Sequence, residues 1–246
     1  IIGMPTLTPY LGPQMIKQDK KRVEYQNFES ATIQSLLTRL PKSFHIQFNC
    51  MPDFNFGLPF IWSGYENYVN YTYRLNDLKD LELVWNELKS SVRRNIRKGQ
   101  KRLSTIEVSA TQAIDLTRAT YYRQGLELPY PVDILKNIIQ ESVNRKVGKA
   151  IGVKDEDENL HSVAFFIHDE NTCYYLFGGA NKEFRNSGGQ SLLMWEGIKY
   201  AAKVSQKFDF MGSMKPSIAA FFQNFGASPM PYHQFVKSNK LVKLLR

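Results

Sequence analysis

Hydrophobic and polar residues alternate in the first 76 residues with two periods, one typical of helices and one typical of strands. The segment SATIQSLLTRLP predicts a helix that Ser30 caps and Pro41 ends, with apolar positions at helical spacing: Ile33, Leu36, Leu37 and Leu40. Two later segments, FHIQFNC and YVNYTYRL, alternate with a period of two and predict half-buried strands. Their expected inward positions are Phe44, Ile46, Phe48 and Cys50 in the first and Val69, Tyr71, Tyr73 and Leu75 in the second. This part of the chain is therefore expected to mix helix and strand.

The pattern becomes purely helical from about Asp77. In DLKDLELVWNELKSSVRRNIRKGQKRL, an apolar stripe with a period of about 3.6 residues predicts one long helix that links two halves of the molecule. The stripe consists of Trp85, Leu88, Val92, Ile96 and Leu103. Cations are favoured near the C-terminus of a helix by its dipole. The basic residues of this segment are Arg93, Arg94, Arg97, Lys98, Lys101 and Arg102.

The remaining chain predicts an ordered alternation of strands and helices. TIEVS is a short strand, and TQAIDLTRATYYRQGL and DILKNIIQESVNRK are helices, the second one capped by Asp133. The stretch from Lys149 to Ala180 predicts three strands separated by polar turns, which suits an antiparallel meander. The helix SLLMWEGIKYAAKV, the strand KFDFM, the helix IAAFFQNFG and the strand YHQFVK follow. The whole pattern predicts an α+β fold, a mixed sheet with flanking helices.

Composition and cysteine content narrow the class of protein. The 246 residues are 43% hydrophobic and 22% charged, which is typical of a globular protein with a sizeable core. No apolar run reaches the roughly 18 residues of a membrane span, and the opening IIGMPTLTPYLGP is not a secretory signal. Because that opening is apolar and lacks an initiator Met, the sequence is expected to be a C-terminal piece of a longer protein. Cys50 and Cys173 form neither a disulfide framework nor a metal-ligand spacing, so a reducing, cytoplasmic compartment is expected.

The charge points to an anionic partner. A formal net charge of +9 favours a phosphate ligand, a nucleic acid or an anionic lipid, but it does not choose among them. His161, His168 and His233 are scattered, without the HxxxH or HExxH spacing of a zinc site, so no metal is expected.

The segment NKEFRNSGGQ, between the third meander strand and the next helix, combines Arg185 with two adjacent glycines. Glycines allow successive backbone N–H groups to point into one concavity, and a helix N-terminus adds partial positive charge. Arg185 supplies a forked donor for a phosphate. The alternative is a merely structural turn, since glycine pairs before helices are common.

The order of elements around this turn resembles that of GNAT acyltransferases, whose sequence mark there is Gln/Arg-x-x-Gly-x-Gly/Ala. Here the mark reads Arg185, Gly188 and Gln190, so the final small residue is replaced. Three separated blocks are also similar to the FemAB-like group, a GNAT-related family of tandem domains that includes peptidoglycan interpeptide-bridge aminoacyl transferases. The blocks, spread over roughly residues 80 to 237, are LKSSVRRNIRKGQKRLSTIEV, YYLFGGANKEFRNSGGQSLLMWEGIKYA and FDFMGSMKPSIAAFFQNFGASPMPYHQFVK.

The resemblance implies a GNAT-like acyl-CoA N-acyltransferase fold with tandem GNAT-like domains, the first incomplete. The expected bounds are 1–76 for a partial N-terminal half-domain, 77–104 for the linking basic helix and 105–246 for the C-terminal domain. The implied reaction moves an acyl group from acetyl-CoA or another acyl-CoA to an amine on a small molecule or a cell-wall precursor. The residues expected to hold the donor are Phe177, Gly178, Gly179, Arg185, Ser187, Gly188, Gly189 and Gln190.

Acyl transfer to an amine needs few special side chains. Positioning two substrates contributes roughly 7 to 11 kcal/mol in favourable cases, and backbone N–H groups can polarise the carbonyl. The candidate catalytic residues are Asp209 and Ser213 in FDFMGSMK and Tyr175 on the preceding strand. Each has a structural alternative, in which Asp209 caps or pairs with a neighbouring Lys, Ser213 caps a turn and Tyr175 belongs to the core.

The basic stretch also has two interpretations. It is either a solvated helix face or a surface that contacts phosphates of a nucleotide, a tRNA or a nucleotide-linked cell-wall precursor. The expected contacts in the second case are Arg93, Arg94, Arg97, Lys98 and Lys101.

Two other functions stay open beside the thioester-dependent one. A tRNA-dependent aminoacyl transferase would resemble relatives that carry Phe-Lys-x-x-Phe-Gly in the late helix, whereas this chain has FFQNFG with Phe222 at the lysine position. An inert polyanion-binding module would show the kind of replacements seen at Phe222 and Gln190. The missing lysine favours the thioester donor.

Overall fold

The structure is a computed structural model that describes residues 1–16, 18–19, 21–212 and 214–239. The chain divides into two compact units, of which unit 1 comprises Ile1–Thr72 with the segment from Met230, and unit 2 comprises Tyr73–Pro229. None of the helices in the described ranges has the length and hydropathy that crossing a bilayer requires. The bounds 1–76, 77–104 and 105–246 for the implied domains stay a prediction.

Helices and strands follow one another along the chain largely in the predicted order. The helices are α1 (Arg22–Arg39), α2 (Leu58–Trp62), α3 (Leu81–Glu87), α4 (Ser90–Gln100), α5 (Ala110–Tyr122), α6 (Val132–Asn144), α7 (Gly189–Val204) and α8 (Pro216–Gln223). The strands are β1 (His45–Asn49), β2 (Glu66–Leu75), β3 (Ser104–Glu107), β4 (Gly148–Lys154), β5 (Leu160–His168), β6 (Thr172–Ala180), β7 (Lys207–Asp209) and β8 (Ser228–Ser238).

Unit 1 is built on a small antiparallel arrangement in which β8 lies between β1 and β2. Its core brings together Ile33 of α1, Phe60 of α2 and Phe235 of β8, and it encloses the free thiol of Cys50. The predicted helix cap at Ser30 is wrong, because α1 already begins at Arg22. The residues of α1 before Ile33 carry no apolar stripe, so periodicity could not reveal them.

The predicted alternation of β2 holds only in part. Tyr73 and Leu75 are buried as expected, but Val69 and Tyr71 are exposed. From Thr72 onward every residue of the strand is buried, including Arg74. The strand is therefore buried on both sides in its second half and largely exposed in its first half, so a single period of two does not describe either half.

Unit 2 has the mixed sheet that the pattern predicted. Its strands lie in the order β7, β6, β5, β4, β3, with the end of β2 beside β7. The meander β4–β5–β6 is antiparallel as predicted, whereas β6 and β7 are parallel over three pairs, from Thr172↔Lys207 to Tyr174↔Asp209. The helix α7 makes the crossover between those two strands. The core under it includes Ile96, Leu193 and Phe208, and it encloses the second free thiol, Cys173.

The prediction of one long helix after Asp77 is wrong, since the segment forms α3 and α4. The backbone is extended at Leu88 and Lys89, with ψ angles of 136° and 140°. The N–H of Lys89 donates to the carbonyl oxygen of Asn224 at 2.9 Å, so the break is held by a contact with the end of α8. Leu88, Val92 and Ile96 are all buried. The apolar stripe therefore continues through the break and hides it.

A smaller correction concerns α6. The helix begins after Pro131, and Asp133 lies in its first turn rather than at the N-cap. A carboxylate in the first turn still interacts favourably with the helix dipole, so the residue retains a stabilising role. Leu135, Ile139 and Ser142 of this helix are buried.

Candidate functional site

The turn between β6 and α7 adopts a conformation that only glycine accommodates well. Gly188 caps α7 with φ of 87°, in the left-handed region. A Cβ atom at this position would collide with the carbonyl oxygen of Asn95 in α4. The glycine of the predicted phosphate turn is therefore required by both its backbone angle and the close approach of α4.

The basic helix α4 packs directly against the N-terminus of α7. A Cβ atom on Gly99 would lie 3.1 Å from the side chain of Leu192 and 3.3 Å from the carbonyl oxygen of Gly188. Lys98 Nζ donates to the carbonyl oxygen of Asn186 at 2.6 Å. The glycine turn and the basic helix, predicted as two separate features, thus form one continuous surface.

A cavity of about 620 Å³ opens at this junction. It is lined by Arg94, Asn95, Lys98, Arg185, Asn186, Gly188, Gln190 and Ser191. Three of these side chains are cationic, and no acidic side chain is among the described residues that line it. The first N–H groups of a helix lack intrahelical acceptors, so the start of α7 adds donors and partial positive charge. We define this site as the basic cavity, and its chemistry suits an anion.

Gln190 occupies the place of the small residue in the family mark. Its Oε1 atom is buried and has no hydrogen-bond partner among the described residues. The amide thus contributes an unsatisfied acceptor at the wall of the basic cavity, which a donor on a ligand or a water could satisfy.

The five predicted basic contacts divide between this cavity and other surroundings. Arg94 and Lys98 line the cavity. The guanidinium of Arg97 lies 5.5 Å from the centre of the Trp85 ring, where it makes a cation–π contact. Arg93 and Lys101 are not among the described residues that line the cavity.

Behind the turn lies a chain of hydrogen bonds that the sequence analysis did not identify. His161 Nδ1 is 2.9 Å from Ser187 Oγ, and His161 Nε2 is 3.0 Å from Asp155 Oδ2. Ser187 Oγ also accepts the N–H of Gly189 at 3.1 Å. Desolvation raises the pKa of Asp155, but hydrogen bonds from Asn159 and His161 outweigh it and lower that pKa to about 2.

The residues predicted on β6 serve mainly to pack the strand. The Phe177 side chain is buried, with its ring 5.5 Å from that of Phe165. A Cβ atom on Gly178 would lie 2.7 Å from the hydroxyl of Tyr175, and one on Gly179 would collide with the backbone of α5 at Leu116. None of the three is among the described residues that line the basic cavity.

The regular pairing of β6 with its two neighbouring strands is interrupted near Tyr175. The parallel pairing with β7 ends at Tyr174↔Asp209. The register with β5 shifts between Phe165 and Phe166, so Leu176 has no partner in β5 within the described register. Such bulges re-aim backbone groups and recur next to active sites. Tyr175 lies at this point, and burial, with a further contribution from Tyr121, raises the pKa of Tyr175 to about 12.

Asp209 is held in a buried ion pair. Its Oδ2 atom accepts from Arg74 Nε at 3.3 Å and from Arg74 Nη2 at 3.1 Å, and its Oδ1 atom accepts the N–H of Met211 at 2.8 Å. The cation of this pair was missed, although an arginine in an apolar strand is a signal that a buried partner exists. Ser213 lies outside the described residues. The catalytic roles of Asp209, Ser213 and Tyr175 stay predictions.

The described ranges contain no group of three or more His, Cys, Asp and Glu side chains that could hold a metal ion.

Comparison with known proteins agrees with this geometry. The chain is similar to a crystal structure of FemX, with a TM-score of 0.69 and 14% identity, over 86% of this chain and 77% of that chain. It is also similar to the C-terminal domain of a putative lysylphosphatidylglycerol synthetase from Agrobacterium fabrum, with a TM-score of 0.56, 12% identity and coverage of 92% and 77%. A tandem GNAT protein from the clavulanic acid biosynthesis pathway gives a TM-score of 0.50, 10% identity and coverage of 91% and 72%. At these identities the similarities show the fold.

No curated protein matches the chain. Residues 89–221, more than half of the chain, match a family model described as an acetyltransferase (GNAT) domain. The match includes both α4 and the glycine turn, so it covers every wall of the basic cavity. The predicted α+β fold and the resemblance to GNAT acyltransferases are confirmed, and the chain belongs to the GNAT acetyltransferase family.

Proposed function

We propose that the protein is an N-acyltransferase that takes its acyl group from an acyl-CoA, with the phosphates of the donor bound in the basic cavity. The observation that carries the proposal is the convergence of Arg94, Lys98 and Arg185 at the N-terminus of α7. Coenzyme A presents a pyrophosphate and a further phosphate, whose oxygens accept hydrogen bonds from guanidinium, ammonium and backbone N–H groups.

The acyl end of the donor would lie at the open edge of β6. Backbone N–H groups near Leu176, released from the regular register, would donate to the thioester carbonyl and stabilise the oxyanion that forms when the amine attacks. As the new C–N bond forms, the C–S bond breaks and the thiolate needs a proton. Tyr175, kept protonated by burial, is our candidate donor of that proton. The amine loses its own proton to solvent or to a base, and a proton from solvent restores the Tyr175 hydroxyl.

The late helix favours a thioester over an aminoacyl-tRNA as donor. Phe222 stands where tRNA-dependent relatives carry lysine, and its ring packs 4.9 Å from Phe210 and 5.9 Å from Tyr73. A side chain in this environment points into the core, so this chain has no cation at that point to contact a tRNA. The fold similarity to FemX, together with the FemAB-like resemblance, supports an amine on a cell-wall precursor as acceptor. A cytoplasmic location stays a prediction.

The test is calorimetric titration of the protein with acetyl-CoA at low and at physiological salt, with tripolyphosphate as the comparison. We expect saturable acetyl-CoA binding that persists at physiological salt and exceeds tripolyphosphate binding. Polyphosphate that binds as well as acetyl-CoA would favour the inert polyanion-binding module. Transfer from charged tRNA with none from a thioester would favour the aminoacyl transferase.

Replacement of Arg185 tests where the phosphates bind. Arg185→Ala removes a charge-assisted contact worth about 1.5 to 3 kcal/mol, so the acetyl-CoA dissociation constant should rise roughly 10- to 150-fold. Lys182→Ala is the matched control, because Lys182 is an exposed cation of the same turn that is not among the cavity-lining residues described. Equal effects of the two substitutions would contradict the placement of the phosphates.

A further inference from the structure

We infer that Asp155, His161 and Ser187 form a positioning chain that pre-organises the phosphate-binding turn for the acyl-CoA. The inference rests on the proposed function, since it gives these residues a role in holding the walls of the basic cavity. It adds a group of hydrogen-bonded side chains, centred on His161, to the site. Two of these residues, Asp155 and His161, lie outside the turn in sequence.

The hydrogen-bond pattern assigns a role to each atom in the chain. With the proton on His161 Nε2, that N–H donates to Asp155 Oδ2 at 3.0 Å and Nδ1 accepts from the Ser187 hydroxyl at 2.9 Å. Ser187 Oγ in turn accepts the N–H of Gly189 at 3.1 Å. One of the donors that opens α7 is therefore tied to His161 through a single serine.

His161 also holds the turn at two further points. Its carbonyl oxygen accepts the N–H of Asn181 at 2.8 Å, and its ring stacks on Phe184 with a centroid separation of 4.0 Å and an interplanar angle of 4°. The main-chain carbonyl of His161 thus anchors the start of the turn, and its ring, in a residue only 5% exposed, anchors the middle and the end. Asp155 is itself held by Asn159, whose N–H and Nδ2 donate to its two oxygens.

This anchoring matters because the turn carries much of the basic cavity. Arg185, Asn186, Gly188, Gln190 and Ser191 all lie within or directly after the anchored segment and line the cavity. A turn that is already ordered loses less conformational entropy when the ligand binds, and its donors need no rearrangement. The positioning chain should therefore act on donor affinity more than on the chemical step.

A serine bonded to a histidine that is bonded to an aspartate is also the arrangement of a nucleophilic serine. Two observations argue against that role for Ser187. Its Oγ atom already accepts the N–H of Gly189, and Ser187 is not among the described residues that line the basic cavity. In the proposed binding mode the turn meets the phosphates of the donor, whereas the reacting carbonyl lies at the edge of β6.

The test compares Ser187→Ala and His161→Phe with wild type in the full chain. The phenylalanine keeps a ring to stack on Phe184 but removes both hydrogen bonds. Coenzyme A and inorganic pyrophosphate are the probes, titrated calorimetrically. Loss of the anchoring bond should weaken binding of both about five- to tenfold, which corresponds to roughly one hydrogen bond, while kcat at saturating acyl-CoA stays within about twofold. Ser187→Thr keeps the hydroxyl and should restore most of the affinity.

The chain provides a matched control in unit 1. His45 Nδ1 lies 2.8 Å from Ser238 Oγ, so His45→Phe and Ser238→Ala remove a similar histidine–serine bond that belongs to the other unit. These two variants should bind both probes as wild type does. Similar losses in the control and test variants would show a general effect on the fold and would overturn the inference.

Three outcomes separate this inference from the proposed function. Wild-type protein that binds acetyl-CoA no better than tripolyphosphate overturns the proposed function, and the ligand role of the chain with it. Saturable binding that is unchanged in both Ser187→Ala and His161→Phe overturns the inference alone. Labelling of Ser187 by a fluorophosphonate probe would assign it as a nucleophile and would also overturn the positioning role. Faster hydrogen exchange of the Gly189 amide in Ser187→Ala supports the chain independently of any ligand.

Discussion

Tyr175 has its hydroxyl beside Gly178 at the point where β6 loses its regular partners. Burial keeps that hydroxyl protonated far above neutral pH, since it raises the pKa of Tyr175 to about 12. Such a group is a poor base and a usable proton donor. The hydrogen-bonding proton, rather than the ring, is therefore the part of Tyr175 that the proposed reaction uses.

Tyr175→Phe should lower kcat by about a hundredfold or more, the lower range for loss of a general acid, and leave the dissociation constant of coenzyme A close to wild type. Tyr200→Phe is the control, because burial also raises the pKa of Tyr200 to about 12 but the residue lies on α7. Because the proton stays on Tyr175 up to about pH 12, its loss should not limit activity below about pH 10. Unchanged kcat in Tyr175→Phe would remove it from the mechanism.

The lowered pKa of Asp155 leads to a second prediction, which concerns how the free energy of unfolding depends on pH. Its pKa falls from 3.8 to about 2 in the folded protein, so its contribution is present above pH 3.8 and is lost as the pH falls towards 2. Asp155→Asn should flatten the decline in the free energy of unfolding across that window, measured by urea denaturation at several pH values. Asp157→Asn, an exposed carboxylate of the same turn, should leave the wild-type slope in place. Equal slopes in Asp155→Asn and wild type would contradict the assignment.

At the scale of helices and strands, the close approach of α4 to the start of α7 predicts the effect of replacing Gly188. Gly188→Ala has to pay about 1 to 2 kcal/mol for the left-handed backbone and, in addition, the collision with Asn95. Gly125→Ala shares a positive φ, 71°, but a Cβ there meets no atom within 4 Å. Urea denaturation should show the larger loss for Gly188→Ala, with weaker coenzyme A binding in that variant only. Similar losses in the free energy of unfolding in the two variants would mean that α4 can shift to accept the Cβ atom at little cost.

The late helix α8 makes the fourth prediction. Phe222→Lys replaces a buried ring that packs on Phe210 by a charge without a partner, so the free energy of unfolding should fall by roughly 3 to 5 kcal/mol. Gln223→Lys adds the same charge at an exposed position of the same helix and should change stability by no more than about 0.5 kcal/mol. A Phe222→Lys variant as stable as wild type would contradict the placement of this ring in the core.

At the scale of the whole molecule, features encoded in neighbouring residues could be predicted and features made by distant ones could not. The meander and the Arg185–Gly188 turn follow from local periodicity and turn chemistry. The break at Leu88 and Lys89 depends on a hydrogen bond to Asn224, far along the chain, while the apolar stripe continues undisturbed. Charge alone suggested the basic stretch, but only the packing of α4 separates Lys98, at the cavity, from Arg97, which lies over Trp85.

The histidine-centred chain shows the same limit. Along the sequence, His161 has no metal-ligand spacing to another residue. Asp155 comes close to it through the turn that joins β4 to β5, and Ser187 comes close because β5 pairs with β6 and the next turn folds back over His161. A motif defined by spacing along the sequence cannot reveal residues that only strand pairing brings together.

Each unit also encloses one free cysteine, so the reactivity of each thiol reports on the opening of its own unit. Burial raises the pKa of Cys50 to about 12 and, together with Asp169, raises the pKa of Cys173 still further above its usual range. Iodoacetamide attacks the thiolate, so each sulfur should stay unalkylated until its own unit opens. Peptide mass spectrometry over a urea series would measure the alkylation of each cysteine, and so the urea concentration at which each unit opens, in a single experiment. Rapid alkylation of either cysteine in native buffer would show that its unit opens without denaturant.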